Sequence, residues 1–223
     1  MSAVAPLSAM AGRPHLRRLA WRHPEWWTLV LSAGAWISMF RPHAHHAHPL
    51  TSWLVMTLAM MLPMVVDPVR TTAERSLWRR RHRAMALFLF SYVGCWMLAG
   101  LAASFITISH PFAPAIAFSL AGAWQLTRFK RLSLVACHRT RPLAPRGWRA
   151  DRDCLLYGAT IARSCVTSCW ALMLACSLAG HSLPATLFVT AIALTERYTA
   201  RPDQRLLSAA LFGAALWSGY GAL

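Results

Sequence analysis

The sequence predicts an all-α fold, a polytopic bundle of transmembrane helices with about seven spans and six as the alternative. Of its 223 residues, 57% are hydrophobic and 13% are charged, about half the charged share of a typical soluble domain. The apolar residues are gathered into long runs that are separated by short polar segments. A membrane-spanning helix needs about 20 predominantly apolar residues, and these runs approach or exceed that length.

The predicted spans lie near residues 26–40, 50–66, 84–108, 111–127, 155–180, 183–195 and 206–223. Backbone groups in lipid must be hydrogen-bonded within the segment, so each run is expected to be a helix. The first and sixth runs are short for a span, and Pro63 is expected to bend the second run near its end. The chain therefore divides into a basic N-terminal arm, residues 1–25, and a single transmembrane domain, residues 26–223.

The charge distribution predicts the orientation of the spans. The chain carries 23 Lys and Arg residues against 7 Asp and Glu, a formal net charge of +16. With seven spans, Arg41 is the only basic residue between spans that falls on the opposite side from the others. By the positive-inside rule, the basic side and the N-terminus are cytoplasmic. This rule accounts for the charge without nucleic acid, so the expected partner is the lipid bilayer of the bacterial inner (cytoplasmic) membrane.

A histidine-rich loop is the first candidate metal site. Four imidazoles lie between two prolines in residues 42–49; they are His43, His45, His46 and His48. Histidine is the commonest metal ligand, and short histidine-rich tracts suit Zn, Cu or Ni. The predicted topology puts this loop on the outer side. The alternative is a polar headgroup loop that binds no metal.

A stripe of sulfur atoms in the fifth span is the second candidate. Cys165, Cys169 and Met173 are spaced by four residues and share one helix face. Soft thiolate and thioether ligands favour Cu(I) or Zn, with copper the expected ion and zinc the less favoured one. The alternative is that these side chains are small or flexible apolar residues of the core.

Further sulfur atoms are expected at the same depth in other spans. Met60 and Met61 lie near the middle of the second span, within a methionine stripe that includes Met56 and Met64, and Cys95 lies near the middle of the third. If these helices touch, their sulfur atoms and those of the fifth span could form one site. Packing is again the alternative, and the sequence does not reveal which helices are neighbours.

One charged residue falls well inside a span. Arg163 would be costly at mid-bilayer unless it is paired, and Glu196, at the inner end of the sixth span, is its expected partner in a structural ion pair. No histidine or carboxylate lies deep in a span, and no phosphate-binding or hydrolase motif is present. We therefore expect no haem and no nucleotide, and we assign no catalytic residues.

The chain contains four blocks of note: Trp53 to Pro63 (W..M..AMM.P), Gly122 to Lys130 (GAWQLTRFK), Cys165 to Met173 (C..SCWALM) and Glu196-Arg197. These blocks resemble a bacterial family of uncharacterised, predicted metal-binding integral membrane proteins, the domain-of-unknown-function family 2182. They occur in the expected order. The resemblance implies a membrane location and metal binding, and it implies no established reaction.

The chain departs from that family at two cysteine positions. The family usually has two cysteines in the loop after the lysine that corresponds to Lys130. In this chain Ser133 stands near the first of these positions, and only Cys137 remains, followed by His138. Ser168 stands where the family has a cysteine directly before the one that corresponds to Cys169. The resemblance leaves open a weakened site, a site shifted to His138 or methionine ligands, or no site. Cys137 and Cys154 are a further candidate pair, because both fall on the basic side.

The function predicted from these features is binding or transfer of a soft metal ion, most simply copper. Outer histidines would collect the ion, and cysteine and methionine sulfur atoms in the spans would hold it. The alternative is an accessory or structural subunit of a membrane complex that binds no metal, because tryptophans and small residues in the spans also suit helix–helix contacts with other subunits. An enzyme or a small-solute transporter is the least favoured class, since no residues for substrate recognition stand out.

Overall fold

The computed structural model describes residues 23–40, 49–106, 110–199 and 202–221. Within these ranges all regular structure is helical and no strand occurs. The α-helices in chain order are α1 (Trp26–Met39), α2 (Pro49–Met61), α3 (Val66–Glu74), α4 (Arg81–Ser104), α5 (Ala113–Gln125), α6 (Arg128–Ala136), α7 (Gly147–Leu178), α8 (Leu183–Tyr198) and α9 (Gln204–Tyr220). The predicted all-α class is confirmed for the described part of the chain.

Each of the seven apolar runs contains a helix, but few of these helices have the length of a membrane span. The segment Trp78–Ser104, which includes α4, and the 32-residue α7 are long and apolar enough to cross a membrane by themselves. The helices on either side of Pro63 would form a third span if they act together. The remaining apolar helices have 13 to 17 residues. The structure thus supports two to three candidate spans among the described residues, where the sequence predicted seven.

The bend expected at Pro63 is present. The helix Pro49–Met61 and the segment Pro63–Glu74 meet at an angle of 46°. Proline has no N–H group to donate, and its ring clashes with the preceding turn. The chain responds with a 3₁₀ turn, Pro63–Val65, before α3 begins.

The centre of the bundle is the contact between α4 and α7, which pack together more extensively than any other pair of described helices. A side chain at Gly158 would collide with the backbone carbonyl of Phe88, so glycine permits the two backbones to approach closely. The rings of Phe88 and Tyr157 contact each other with centroids 5.2 Å apart. Ser91 Oγ donates a hydrogen bond to the Leu155 carbonyl at 2.7 Å. The two longest apolar helices therefore support each other directly.

Hydrogen bonds from side chains to backbone carbonyls connect the other helices around this pair. In an apolar surrounding such a bond satisfies both groups and fixes the helix register. These bonds join Ser32 to Ala59 (2.8 Å), Trp53 to Trp96 (2.9 Å), Trp124 to Thr167 (3.2 Å) and Ser208 to Gly122 (2.8 Å). They connect α1 to α2, α2 to α4, α5 to α7 and α9 to α5, respectively.

Basic segments that are distant in sequence meet at one end of the bundle. Asp151 at the start of α7 pairs with Arg80 and, at 2.8 Å, with Arg83. Arg75 donates to the Arg141 carbonyl at 3.0 Å. The loop after the second run therefore contacts the loop before the fifth.

Candidate functional site

Two cysteines from different helices come together in the core. Cys137 follows α6 and Cys165 lies in the middle of α7, and their sulfur atoms are 3.7 Å apart. Both side chains are buried and both are free thiols. This pair places two soft sulfur donors within reach of one ion.

The position of Cys137 follows from a local signal at the start of α6. The Thr127 side chain accepts a hydrogen bond from the Lys130 backbone N–H at 3.2 Å, so threonine caps the helix N-terminus. The helix then runs along α7 and ends at Ala136. Cys137 therefore follows immediately at the helix end, facing α7.

Cys169 lies one helical turn beyond Cys165 and is also buried. Ser168, the serine at a cysteine position of the resembled family, donates from Oγ to the Cys165 carbonyl at 3.0 Å. Its hydroxyl also lies 3.4 Å from the Cys169 sulfur atom. The serine thus occupies a buried position between the two cysteines and contributes an oxygen atom there instead of a sulfur atom.

A buried ion pair lies beside Cys169. Lys130 Nζ is 2.9 Å from Glu196 Oε2, and each side chain is 1% exposed. Both groups act electrostatically on Cys169. Neither the ammonium nor the carboxylate makes a well-directed hydrogen bond to another described residue. The contact therefore depends on charge attraction in a low-dielectric surrounding.

Arg197 and Tyr92 complete the surroundings of the thiol pair. Arg197 Nη1 donates to the Cys137 carbonyl at 3.1 Å, and the guanidinium acts electrostatically on Cys165. The Tyr92 side chain is fully buried next to the Cys165 thiol. Residues of α4, α6, α7 and α8 thus converge on one place.

The predicted methionine ligands lie in the same core. Met60, Met61 and Met173 are completely buried and belong to the contiguous apolar cluster that contains Cys165 and Cys169. Cys95 is only partly buried and packs against the edge of that cluster. The structure therefore brings these sulfur-containing residues into one core. Among the described residues, Cys137 and Cys165 have their sulfur atoms in direct contact, at 3.7 Å.

His138, which directly follows Cys137 in the chain, lines a small cavity. The cavity has a volume of about 300 Å³, and its lining includes His138, Arg131 and the buried Glu196. Partial burial lowers the pKa of His138, and the nearby Arg197 lowers it further. The imidazole is therefore neutral at neutral pH, the form in which histidine binds metals.

Two expectations about the site are corrected by the structure. Arg163 does not pair with Glu196: the Arg163 side chain is exposed, whereas Glu196 is buried against Lys130. Arg163 lies two positions before Cys165 on α7. Residues two apart on a helix do not share a face, so Arg163 does not lie on the face that carries Cys165. Cys137 contacts Cys165 rather than Cys154, which lies about 16 Å lower on α7.

The histidine-rich loop lies outside the described residues, so His43, His45, His46 and His48 have no position here. Among residues that the structure does describe, no three His, Cys, Asp or Glu side chains form a group that could hold a metal ion. The sequence alone did not indicate Lys130, Arg197 or Tyr92 as site residues. Lys130 carried a signal, because it is the only lysine of the chain and ends one of the family-like blocks.

A family model described as "PpoB2: Copper chaperone" matches residues 50–220. No curated protein and no solved structure matches the chain. The matched range contains all the residues of the thiol site and begins just after the histidine-rich loop.

Proposed function

The chain belongs to the PpoB2 copper chaperone family, and from this membership we propose that it is a membrane protein that binds Cu(I) at Cys137 and Cys165 and passes it on. The observation that carries the proposal is the 3.7 Å distance between the two sulfur atoms. Copper is the transported cargo, and the protein supplies its ligands and their surroundings. Soft thiolates are the donors that Cu(I) prefers.

The surroundings of the thiol pair suit a soft, weakly hydrated ion. Both cysteines are buried within the apolar cluster, so water is largely excluded and competing hard ions would lose their hydration. Cys169, Met60, Met61 and Met173 lie in the same cluster. In the proposal they are further sulfur ligands through which the ion can move after it leaves the pair.

His138 is the proposed link between the thiols and the outside of the protein. It follows Cys137 directly and lines the cavity described above. A neutral imidazole at that place could accept Cu(I) before the thiols or take it from them. On the other side of the membrane, the histidine-rich loop would collect copper or release it.

The proposal includes the membrane arrangement predicted from the charges: seven spans, a cytoplasmic N-terminus and a location in the inner membrane. The basic segments that meet at one end of the bundle support it. We also propose that the chain is related to the domain-of-unknown-function family 2182, with Ser133 and Ser168 at two of that family's cysteine positions. A partner that accepts the copper would be a further membrane or surface protein.

Competition with a chromophoric Cu(I) chelator under reducing conditions tests this function on the full-length protein in detergent. Wild-type protein should bind Cu(I) tightly, and Cys137→Ser or Cys165→Ser should each abolish the tight binding. Cys154→Ser is the matched control, because Cys154 is also a buried cysteine of α7 but lies away from the pair. Binding that is equal in wild type and in both site variants would refute the proposal.

A further inference from the structure

The positive charge of Arg197 lies close to the thiol pair, and the proposed function does not explain it. Arg197 Nη1 contacts the Cys137 carbonyl at 3.1 Å, and its Nε is fully buried without a hydrogen-bond partner among the described residues. A buried donor without a partner is costly. An anion next to the guanidinium would relieve that cost.

The other charges around the thiols cancel or lie further away. Lys130 and Glu196 form an ion pair with each other, so together they add no net charge. Asp67 acts electrostatically on His138 and Tyr198, whereas Arg197 is the charged group that acts on Cys165. The charge next to the pair that remains to be balanced is therefore the positive charge of Arg197.

Loading with copper changes the charge of the pair in a defined way. One Cu⁺ displaces the protons of two thiols, which leave to water, and forms two Cu–S bonds without any change of oxidation state. The product is a bis-thiolate complex with a charge of −1, where the two thiols were neutral. A divalent ion that reacts in the same way gives a neutral complex. A buried charge is stable only when it is paired, so a fixed cation favours the first product over the second.

We propose that Arg197 is the counter-ion of the copper-loaded thiol pair and makes the site selective for monovalent copper over divalent thiophilic ions. This inference rests on the proposed function, because it concerns the same two cysteines. Arg197 acts as a positioning residue through its charge, and it need not touch the ion. The specificity then depends on charge balance between the site and its cargo in addition to the preference of sulfur for soft metals.

The test compares affinities for two ions, Cu⁺ and Cd²⁺, in the full-length protein. The variants are Arg197→Gln and Arg197→Met, which remove the charge, and Arg197→Lys, which keeps it. The matched control is Arg205→Gln, because Arg205 is exposed on α9. Cu⁺ affinity is measured by chelator competition and Cd²⁺ affinity by the sulfur-to-cadmium charge-transfer band, and binding lost in Cys137→Ser defines the site.

The two neutral variants should weaken Cu⁺ binding by about tenfold or more, the size expected for losing one charge contact in a partly screened site. Cd²⁺ affinity should change by less than about twofold, since its complex carries no net charge to stabilise. Arg197→Lys and Arg205→Gln should keep the wild-type ratio of the two affinities. If Arg197→Gln does not fold, Arg197→Met carries the comparison, because it retains the apolar stem of the side chain.

The outcomes separate the two proposals. Cu⁺ binding that requires Cys137 and Cys165, with an affinity ratio unchanged in the neutral variants, would overturn the role of Arg197 and leave the proposed function intact. A neutral variant that weakens both ions equally would also overturn it, since a merely structural role predicts that result. Cu⁺ binding that is independent of the two cysteines would refute the proposed function itself.

Discussion

The Lys130–Glu196 ion pair should dominate the stability of the bundle near the thiols. Glu196→Gln replaces the carboxylate with an amide of almost the same shape, so the packing is retained while the negative charge is lost. Lys130 would then be a buried ammonium without a counter-charge, because its side chain is only 1% exposed and its Nζ has Glu196 as its ionic partner at 2.9 Å.

The expected cost is large because both partners are buried. Removing one member of a buried ion pair typically costs about 3–5 kcal/mol in the free energy of unfolding. The matched control is Glu74→Gln, which removes the 2.8 Å ion pair between Glu74 and Arg70. The side chain of Glu74 is 58% exposed and that of Arg70 is 46% exposed. Exposed helix pairs of this kind contribute about 0.3–0.5 kcal/mol, so the control should remain close to wild type.

Unfolding in mixed micelles with increasing SDS, followed by tryptophan fluorescence, measures these differences, and the 11 tryptophans provide the signal. The double variant Lys130→Met/Glu196→Leu should recover most of the stability that Glu196→Gln loses, because it leaves no buried charge. A Glu196→Gln protein within about 1 kcal/mol of wild type, or a double variant less stable than the single one, would refute this reasoning.

Three further predictions concern separate parts of the fold. Gly158→Ala should destabilise the protein by about 1–3 kcal/mol, as for overpacking in a core, because its methyl group would meet the Phe88 carbonyl; SDS unfolding measures the change, and an unaltered midpoint would contradict it. Trp53→Phe removes the 2.9 Å indole hydrogen bond to a carbonyl of α4 and should cost about 1–2 kcal/mol, measured in the same way; a smaller loss than for exposed Trp148→Phe would count against that bond. His138 has a pKa lowered by partial burial and then by Arg197, so the unfolded chain binds more protons below its ordinary pKa of 6.5. Stability should therefore fall as the pH drops below that value, and His138→Gln should lose this part of the pH dependence; an identical pH profile for the variant would contradict the assignment.

Local features of the structure followed from the sequence because helix periodicity and proline geometry act over a few residues. The seven apolar runs contain helices, and the bend at Pro63 is present. Cys165 and Cys169 share a buried face because they are four residues apart. The number of spans does not follow from such local features, because the ends of a helix depend on packing. The short helices α1, α5, α8 and α9 do not by themselves have the length of a span.

The thiol pair depended on information that a single sequence does not display. Cys137 reaches Cys165 only because α6 folds back along α7, and no periodicity links residues 28 positions apart. The prediction that Arg163 is the partner of Glu196 was wrong for a related reason. Depth in the membrane alone pairs Glu196 with Arg163, but Arg163 lies on an exposed face of α7. Lys130 reaches Glu196 from a different helix.

X-ray absorption at the copper K-edge of the Cu(I)-loaded, full-length protein tests the central claim most directly. The account predicts sulfur atoms as the nearest neighbours of copper, and fewer sulfur neighbours per copper atom in Cys137→Ser and in Cys165→Ser, with Cys154→Ser unchanged. A first shell made of nitrogen or oxygen atoms, identical in all of these proteins, would contradict it.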